Sequence, residues 1–172
     1  MTSQDDFGQE TYNIDTYTSY VVGIHHKNEK GQSRHKLLID YLSASIDKAH
    51  EYNGYSDEEM LRDNFYYCEK LYKYPFFETG KITLKVETEN RFDKDPIKVY
   101  HDKLGDLGYI PIIHKDKVRQ ILVHCHIVTI DFKVSGGDYK FMDVEKQEII
   151  YGEDPLDIEL TLYYHPVKGQ HK

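Results

Sequence analysis

Residues Lys81 to Ile112 read KITLKVETENRFDKDPIKVYHDKLGDLGYIPI. Ile82, Leu84 and Val86 alternate with Lys81, Thr83, Lys85 and Glu87, the period of two that marks a half-buried strand. A polar turn over Thr88 to Lys94 leads to a second short strand at Ile97 to Tyr100. Another turn, centred on Gly105, precedes Leu107-Gly108-Tyr109-Ile110-Pro111. Closely spaced strands joined by short turns make β-pairing the organising principle of this chain.

Upstream, Tyr17 to His26 (YTSYVVGIHH) is β-branched and aromatic, which predicts a first strand with a bulge or close backbone approach at Gly23. The period then changes. Leu37, Leu38, Tyr41, Leu42, Ile46 and Ala49 recur at spacings of three and four, giving a helix from Ser33 to about Asn53-Gly54. Ser56-Asp57-Glu58-Glu59 has the form of a capping box, and the apolar positions after it predict a second helix running through Met60, Leu61, Phe65, Cys68 and Leu71 toward Pro75. The two make a helical hairpin insertion over residues 33–74. Its aromatic residues, Phe65-Tyr66-Tyr67 and then Tyr72, Tyr74, Phe76 and Phe77, exceed what one helix face buries, so they pack on the strands or form a surface for a partner or for self-association.

Downstream, Asp116 to Val123 predicts one short helix burying Val118, Ile121 and Leu122. A strand over His124 to Val134 places Val128, Ile130 and Phe132 on one face. Ser135-Gly136-Gly137-Asp138 reads as a hairpin turn, and Ile158 to Tyr164 as the last strand. The expected fold is α+β: a small OB/SH3-like β-barrel of about six strands, closed to dispose of exposed edges, carrying the helical insertion. Residues 1–16, polar and acidic, form a flexible tail, and 17–172 a single domain.

The chain of 172 residues carries a formal net charge of −8, but unevenly. Lys and Arg against Asp and Glu number 8 to 14 in residues 1–80, 10 to 8 in residues 81–134, and 4 to 8 in residues 135–172. The middle is mildly basic between acidic flanks, so strong non-specific attraction to duplex phosphates is not expected, and any nucleic-acid affinity must come from a pocket. No apolar run approaches the about 18 residues that span a membrane, and MTSQDDFGQE lacks a signal peptide's basic and apolar regions; a cytoplasmic protein without membrane partners is expected. Cys68 and Cys125 form no metal or redox motif.

In order along the chain, Val21-Val22-Gly23-Ile24, Asn90-Arg91-Phe92-Asp93, Ile97-Lys98-Val99 and Gly108-Tyr109-Ile110-Pro111 resemble the HIRAN family of small β-barrel modules. The resemblance implies binding of the 3′ end of single-stranded DNA, in replication, repair or a mobile-element context. On it, Asp93 accepts from the terminal 3′ hydroxyl, Asn90 positions base or sugar, Phe92 packs beneath or stacks, and Tyr109 contributes a ring or a phosphate contact. His25 and His26 stand where the family has a basic and an aromatic residue, and Ile112 where DNA-binding members have a lysine, with Lys115 and Lys117 nearby. Asn90 and Asp93 equally suit the backbone needs of a turn.

His124-Cys125-His126 suggests a metal site or a thiol, but packing at the barrel end accounts for it better. No phosphate loop, metalloprotease motif or nucleophile elbow is present, so neither enzyme activity nor a cofactor nor a metal is expected. The competing reading is an acidic, tyrosine-rich interaction or inhibitor module that binds a DNA-processing protein. Both readings allow a homo-oligomer.

Overall fold

The computed structural model describes residues 13–63, 69–88, 90–91 and 93–166. Their fold is mixed α/β, with two antiparallel sheets and three α-helices. Strand β1 (Asp15–Tyr20) pairs with β8 (Glu148–Pro166), from Asp15 opposite Tyr164 to Tyr20 opposite Glu159. β8 pairs along its length with β7 (Cys125–Asp143), and the far edge of β7 takes two short strands, β2 (Leu71–Tyr72) and β3 (Phe76–Thr79). The second sheet is the meander β4 (Ile82–Val86), β5 (Ile97–His101) and β6 (Gly105–Tyr109).

Two corners join the sheets. At the first, the Val21 amide donates to Ile158 in β8 at 3.0 Å, while Val22 exchanges both backbone bonds with Tyr109 in β6, at 2.8 and 2.9 Å. At the second, the Gly80 amide donates to Ile130 in β7 and the Asp102 amide to Lys81, so the chain leaves β3 in one sheet and enters β4 in the other. Between the sheets lie Ile97, Val99 and Leu107 on one side and Phe132, Ile158, Leu160 and Leu162 on the other, all buried. Helix α1 (Arg34–Ser45) adds Leu38 and Leu42 to this core, and α3 (Ile112–His124) adds Val118 and Ile121.

A buried histidine ties three elements together. His101 Nδ1 accepts from the Lys103 and Leu104 amides at 3.1 and 3.3 Å, which places its proton on Nε2, facing Glu78 at 2.9 Å. Tyr41 of α1 donates to both oxygens of the same carboxylate. The β5–β6 turn, β3 and α1 are thereby fixed together.

Several expectations need correction. The first strand begins at Asp15, inside the expected tail, and ends at Tyr20, because the chain changes sheets at Val21 and Val22. The first helix stops at Ser45, where Ile46 turns extended; Lys48–Gly54 is a 3-10 stretch broken by left-handed Tyr52 and Asn53. The Ser56 capping box forms, but α2 (Asp57–Arg62) is short, and Leu71 belongs to a strand rather than to that helix. Phe65, Tyr66, Tyr67 and Cys68 lie outside the described residues. Helix α3 starts directly after Pro111, earlier than the apolar pattern suggests, because Ile112 and Ile113 occupy its exposed first turn.

The Gly136-Gly137 hairpin turn is also overturned. β7 runs through both glycines opposite a bulge in β8: Ser135 faces Asp157 and Gly137 faces Asp154, so Gly136 alone stands against Pro155 and Leu156. Gly136 has φ +84°, and a Cβ there would lie 2.0 Å from the Pro155 carbonyl. The left-handed glycines that would suit a turn instead serve a bulge, with a proline that needs no ladder amide opposite them. The true turn follows at Val144–Gln147, where Asp143 accepts from the Glu145 and Lys146 amides.

Within the 33–74 segment α1 belongs to the main core, whereas α2 and β2 pack on the outer half of the β7–β8 ribbon. Met60, Leu71 and Met142 form a small cluster of their own there, and buried Lys140 donates to the Tyr55 carbonyl and to Asp57. Among the described residues no helix is long and apolar enough to cross a membrane.

Gly108 closes the first corner: its φ is +137°, and an added Cβ would meet the Val22 carbonyl at 2.2 Å. Gly108→Ala is therefore expected to cost about 2–4 kcal/mol in urea unfolding, strain and overpacking combined. Gly31 has φ +76° with nothing within 4 Å of an added Cβ, so Gly31→Ala should cost only about 1 kcal/mol. Equal losses would remove the steric role assigned to Gly108.

Candidate functional site

β5 sets the site by simple alternation. Ile97 and Val99 point into the core, so Lys98 between them faces outward. Its side chain is nevertheless only 2 % exposed. Tyr109, its cross-strand partner on β6, stands with its ring 5.5 Å from the ammonium. Glu87, just past the end of β4, and Glu29, from the loop before α1, both ion-pair with Lys98.

These residues line one recess of about 500 Å³, together with Val86, Thr88 and Asn90. None of the described residues between 33 and 74 lines it. The Asn90 side-chain amide donates to Glu87 Oε2 at 3.4 Å, and the Tyr109 hydroxyl reaches the same oxygen at 3.5 Å. Asn90 also accepts from the Asp93 amide at 3.3 Å, which closes the turn.

Electrostatically the recess is a carboxylate pair around one ammonium. Burial alone would lower the pKa of Lys98, but the carboxylates of Glu29 and Glu87 outweigh it and hold the amine protonated well above its usual range. Burial alone would likewise raise Glu87, and hydrogen bonds from Lys98 and Asn90 carry it below the ordinary glutamate value. With two carboxylates against one ammonium, the recess keeps a net negative charge.

Beside it, Gly23 is the meeting point of a second group. Buried Arg34 donates to the Gly23 carbonyl at 3.0 Å and to Asp106 at 2.6 Å, and Asp106 accepts from the Gly108 amide at 3.0 Å. The Arg34 guanidinium sits 5.8 Å from the Tyr109 ring centre. A Cβ on Gly23 would lie within 3.6 to 4.0 Å of Arg34, His26 and Tyr109, so those three side chains converge on it.

The sequence-predicted residues therefore separate. Asn90 and Tyr109 share the recess, and His26 flanks Tyr109 across Gly23. His25 turns away and stacks on His35 of α1, with ring centres 5.7 Å apart. Asp93 does not line the recess; Lys115 of α3 holds it at 2.5 Å and also donates to the Lys94 carbonyl. One turn later Arg119 donates to the Asp95 carbonyl at 2.7 Å, so α3 latches the turn at two points. Phe92 lies outside the described residues. Glu29, Arg34, Glu87 and Lys98 were not singled out from the sequence. The lysine between two core-facing residues was the available sign, and the long-range positions of Glu29 and Arg34 left none.

Among the described residues no group of histidine, cysteine and acidic side chains is arranged to hold a metal ion. No protein-family model, curated protein or solved structure matches the chain.

Lys98→Met would leave the Glu29 and Glu87 carboxylates facing each other without their cation. The expected loss is about 1–3 kcal/mol at neutral pH. The folded-state pKa of Glu87 is depressed, so its contribution is present above the ordinary glutamate value of about 4.3 and disappears as pH falls through the lower folded value. The gap between wild type and variant in urea unfolding should consequently narrow in acid. A gap independent of pH would contradict the ionic account.

Proposed function

We propose that the chain is a non-enzymatic module that binds the 3′ end of single-stranded DNA at the Asn90–Tyr109 recess. The observation carrying this reading is that Asn90 and Tyr109, from two separate segments, line one recess, with His26 meeting Tyr109 at Gly23 beside it. Tyr109 offers a ring for a terminal base, Asn90 an amide for base or sugar, and His26 an imidazole at the rim. The order of the four motifs that resembles HIRAN domains supports the same function, and the two sheet-switching corners suit the small barrel that the resemblance implies.

A net negative recess in an acidic chain changes how such binding must work. Each buried cation near the recess already has a carboxylate: Lys98 has Glu29 and Glu87, and Arg34 has Asp106. Counterion release along a phosphate backbone therefore contributes little, and stacking with hydrogen bonds at the terminus carries the affinity. This fits a module that recognises an end rather than a tract. A replication, repair or mobile-element setting follows from that chemistry and from the resemblance together.

One surface favours the alternative, a module that binds a DNA-processing protein. Ile112 and Ile113 are 73 % and 82 % exposed on the first turn of α3, and Val22 and Tyr20 are exposed on the strand leading to the same corner. Apolar residues left open beside a recess suit a protein partner.

Titration of fluorescent single-stranded oligonucleotides at moderate salt separates the two. The DNA-end reading expects measurable binding with a shallow salt dependence. Tyr109→Ala should weaken it at least about fivefold through lost stacking. His26→Ala should weaken binding more than His25→Ala, because His25 stacks on His35. Negligible binding to every oligonucleotide would sink the reading.

A further inference from the structure

We infer that β4 is a self-association edge: two copies of the chain pair antiparallel along it, and each brings its Lys85 to the recess of the other. The inference goes beyond the DNA-end reading and does not depend on it.

Among the described residues β4 pairs with β5 alone, so it is the open edge of the second sheet. The ladder tells which of its residues face outward from that edge. The Glu87 amide donates to the Pro96 carbonyl and the Asp102 amide to the Lys81 carbonyl. With the unbroken register between these two bonds, Lys81, Thr83, Lys85 and Glu87 are the residues bonded to β5. The amides and carbonyls of Ile82, Leu84 and Val86 therefore point to the open side, where a further strand can take them.

Exposure picks the end of the strand. Ile82 is 8 % exposed and lies two residues from the corner where Gly80 bonds Ile130 of β7, whereas Val86 is 42 % exposed. A second strand is thus placed at the Val86 end.

Charge picks the occupant and its register. Self-pairing centred on Thr83 sets Lys81 against the partner's Lys85, and centred on Lys85 it sets that lysine against its own copy. Like charges directly opposite one another destabilise a strand pair. Centred on Leu84, the pairing needs the partner's Val86 at the buried Ile82 end. Centred on Val86, it sets Val86 against the partner's Val86, Leu84 against the partner's Thr88, and Lys85 against the partner's Glu87. The outward-facing groups then meet as hydrogen-bonded pairs. Lys85 and Glu87 fall at the non-hydrogen-bonded positions, where opposed side chains come closest, and the two-fold axis gives their contact twice.

The recess gains what one chain lacks. Glu87 lines it, and there Lys98 faces two carboxylates, which leaves one negative charge in excess. Lys85 is exposed, and its ammonium stands over the Tyr100 ring, 4.8 Å from the centre. Across the pairing edge the partner's Lys85 comes beside Glu87 and balances that charge, so the recess is neutral only in the dimer.

A pairing along one short strand buries less than the roughly 1,600 Å² of a standard interface, so the dimer should be weak, with a Kd of about 10–100 μM. Sedimentation velocity over about 5–500 μM protein should show a monomer–dimer equilibrium that weakens as salt rises. Lys85→Glu opposes like charges twice and should raise Kd at least about tenfold. Val86→Pro removes an amide that faces the open edge and none that bonds β5, so it should abolish the dimer with the sheet intact. Lys81→Glu should change Kd by less than about twofold. Thermal unfolding of each variant separates lost association from lost fold.

A wild-type chain that stays monomeric throughout this range would overturn the inference. So would a dimer that survives both Lys85→Glu and Val86→Pro, since it would lie on another surface. A loss in Lys81→Glu without one in Lys85→Glu would overturn the register and the role of Lys85 with it.

Discussion

The buried ion pair between Arg34 and Asp106 is the interaction on which the arrangement around the recess depends. Arg34 begins α1, Asp106 lies in β6, and the same two side chains reach the Gly23 carbonyl and the Gly108 amide. Three segments, around Gly23, Arg34 and β6, are held by one guanidinium and one carboxylate. Such a pair gains little over a well-packed apolar substitute, but removing one partner strands a buried charge. Its value here is geometric, because it fixes the exit of β1 against β6 at the point where the chain passes between sheets. Tyr109 stands beside that guanidinium and takes its orientation from the same corner.

What the sequence made legible follows from how local each determinant is. The β4–β5 meander appears in the alternation of Lys81 to Glu87 and in the Ile97-Lys98-Val99 triplet, because each strand has one buried face. The Ser56 capping box is equally local and forms as written. The long β7–β8 ribbon was hidden because a Gly-Gly pair meets the backbone demands of a turn and of a bulge alike. Only the register with β8, set by core packing of Phe132 against Leu160 and their neighbours, decides between them. Asn90 and Tyr109 could be found because they flank a single contiguous stretch. Glu29 and Arg34 could not, since folding alone brings them beside Lys98 and Gly23. The division between Asp93 and Glu87, six residues apart on one turn, depends on where α3 lands and is written in no local pattern.

The recess shows how an acidic protein can hold cations beside an open surface recess without a basic patch. Lys98 lines it, Arg34 stands beside Tyr109, and Lys115 and Arg119 hold the turn over residues 93–95; each of the four is engaged by a carboxylate. These cations organise the walls more than they attract a ligand. Mutual satisfaction of that kind limits long-range steering, since the field a few Debye lengths away is that of the acidic whole. Glu87 and Asp106 are each held by more than one partner, which fixes them in place.

The β7–β8 ribbon carries a further implication. Each strand has 19 residues, roughly 60 Å of extended chain, and the bulge at Gly136 divides it. On one side the ribbon belongs to the main core; on the other it carries the small Met60, Leu71 and Met142 cluster, the β2 pairing and polar contacts of Lys140, Tyr151 and Asp154. One pair of strands thus spans two cooperative units of unequal strength. The outer unit is the one to exchange its amide hydrogens first, and it opens without disturbing the corner that shapes the recess.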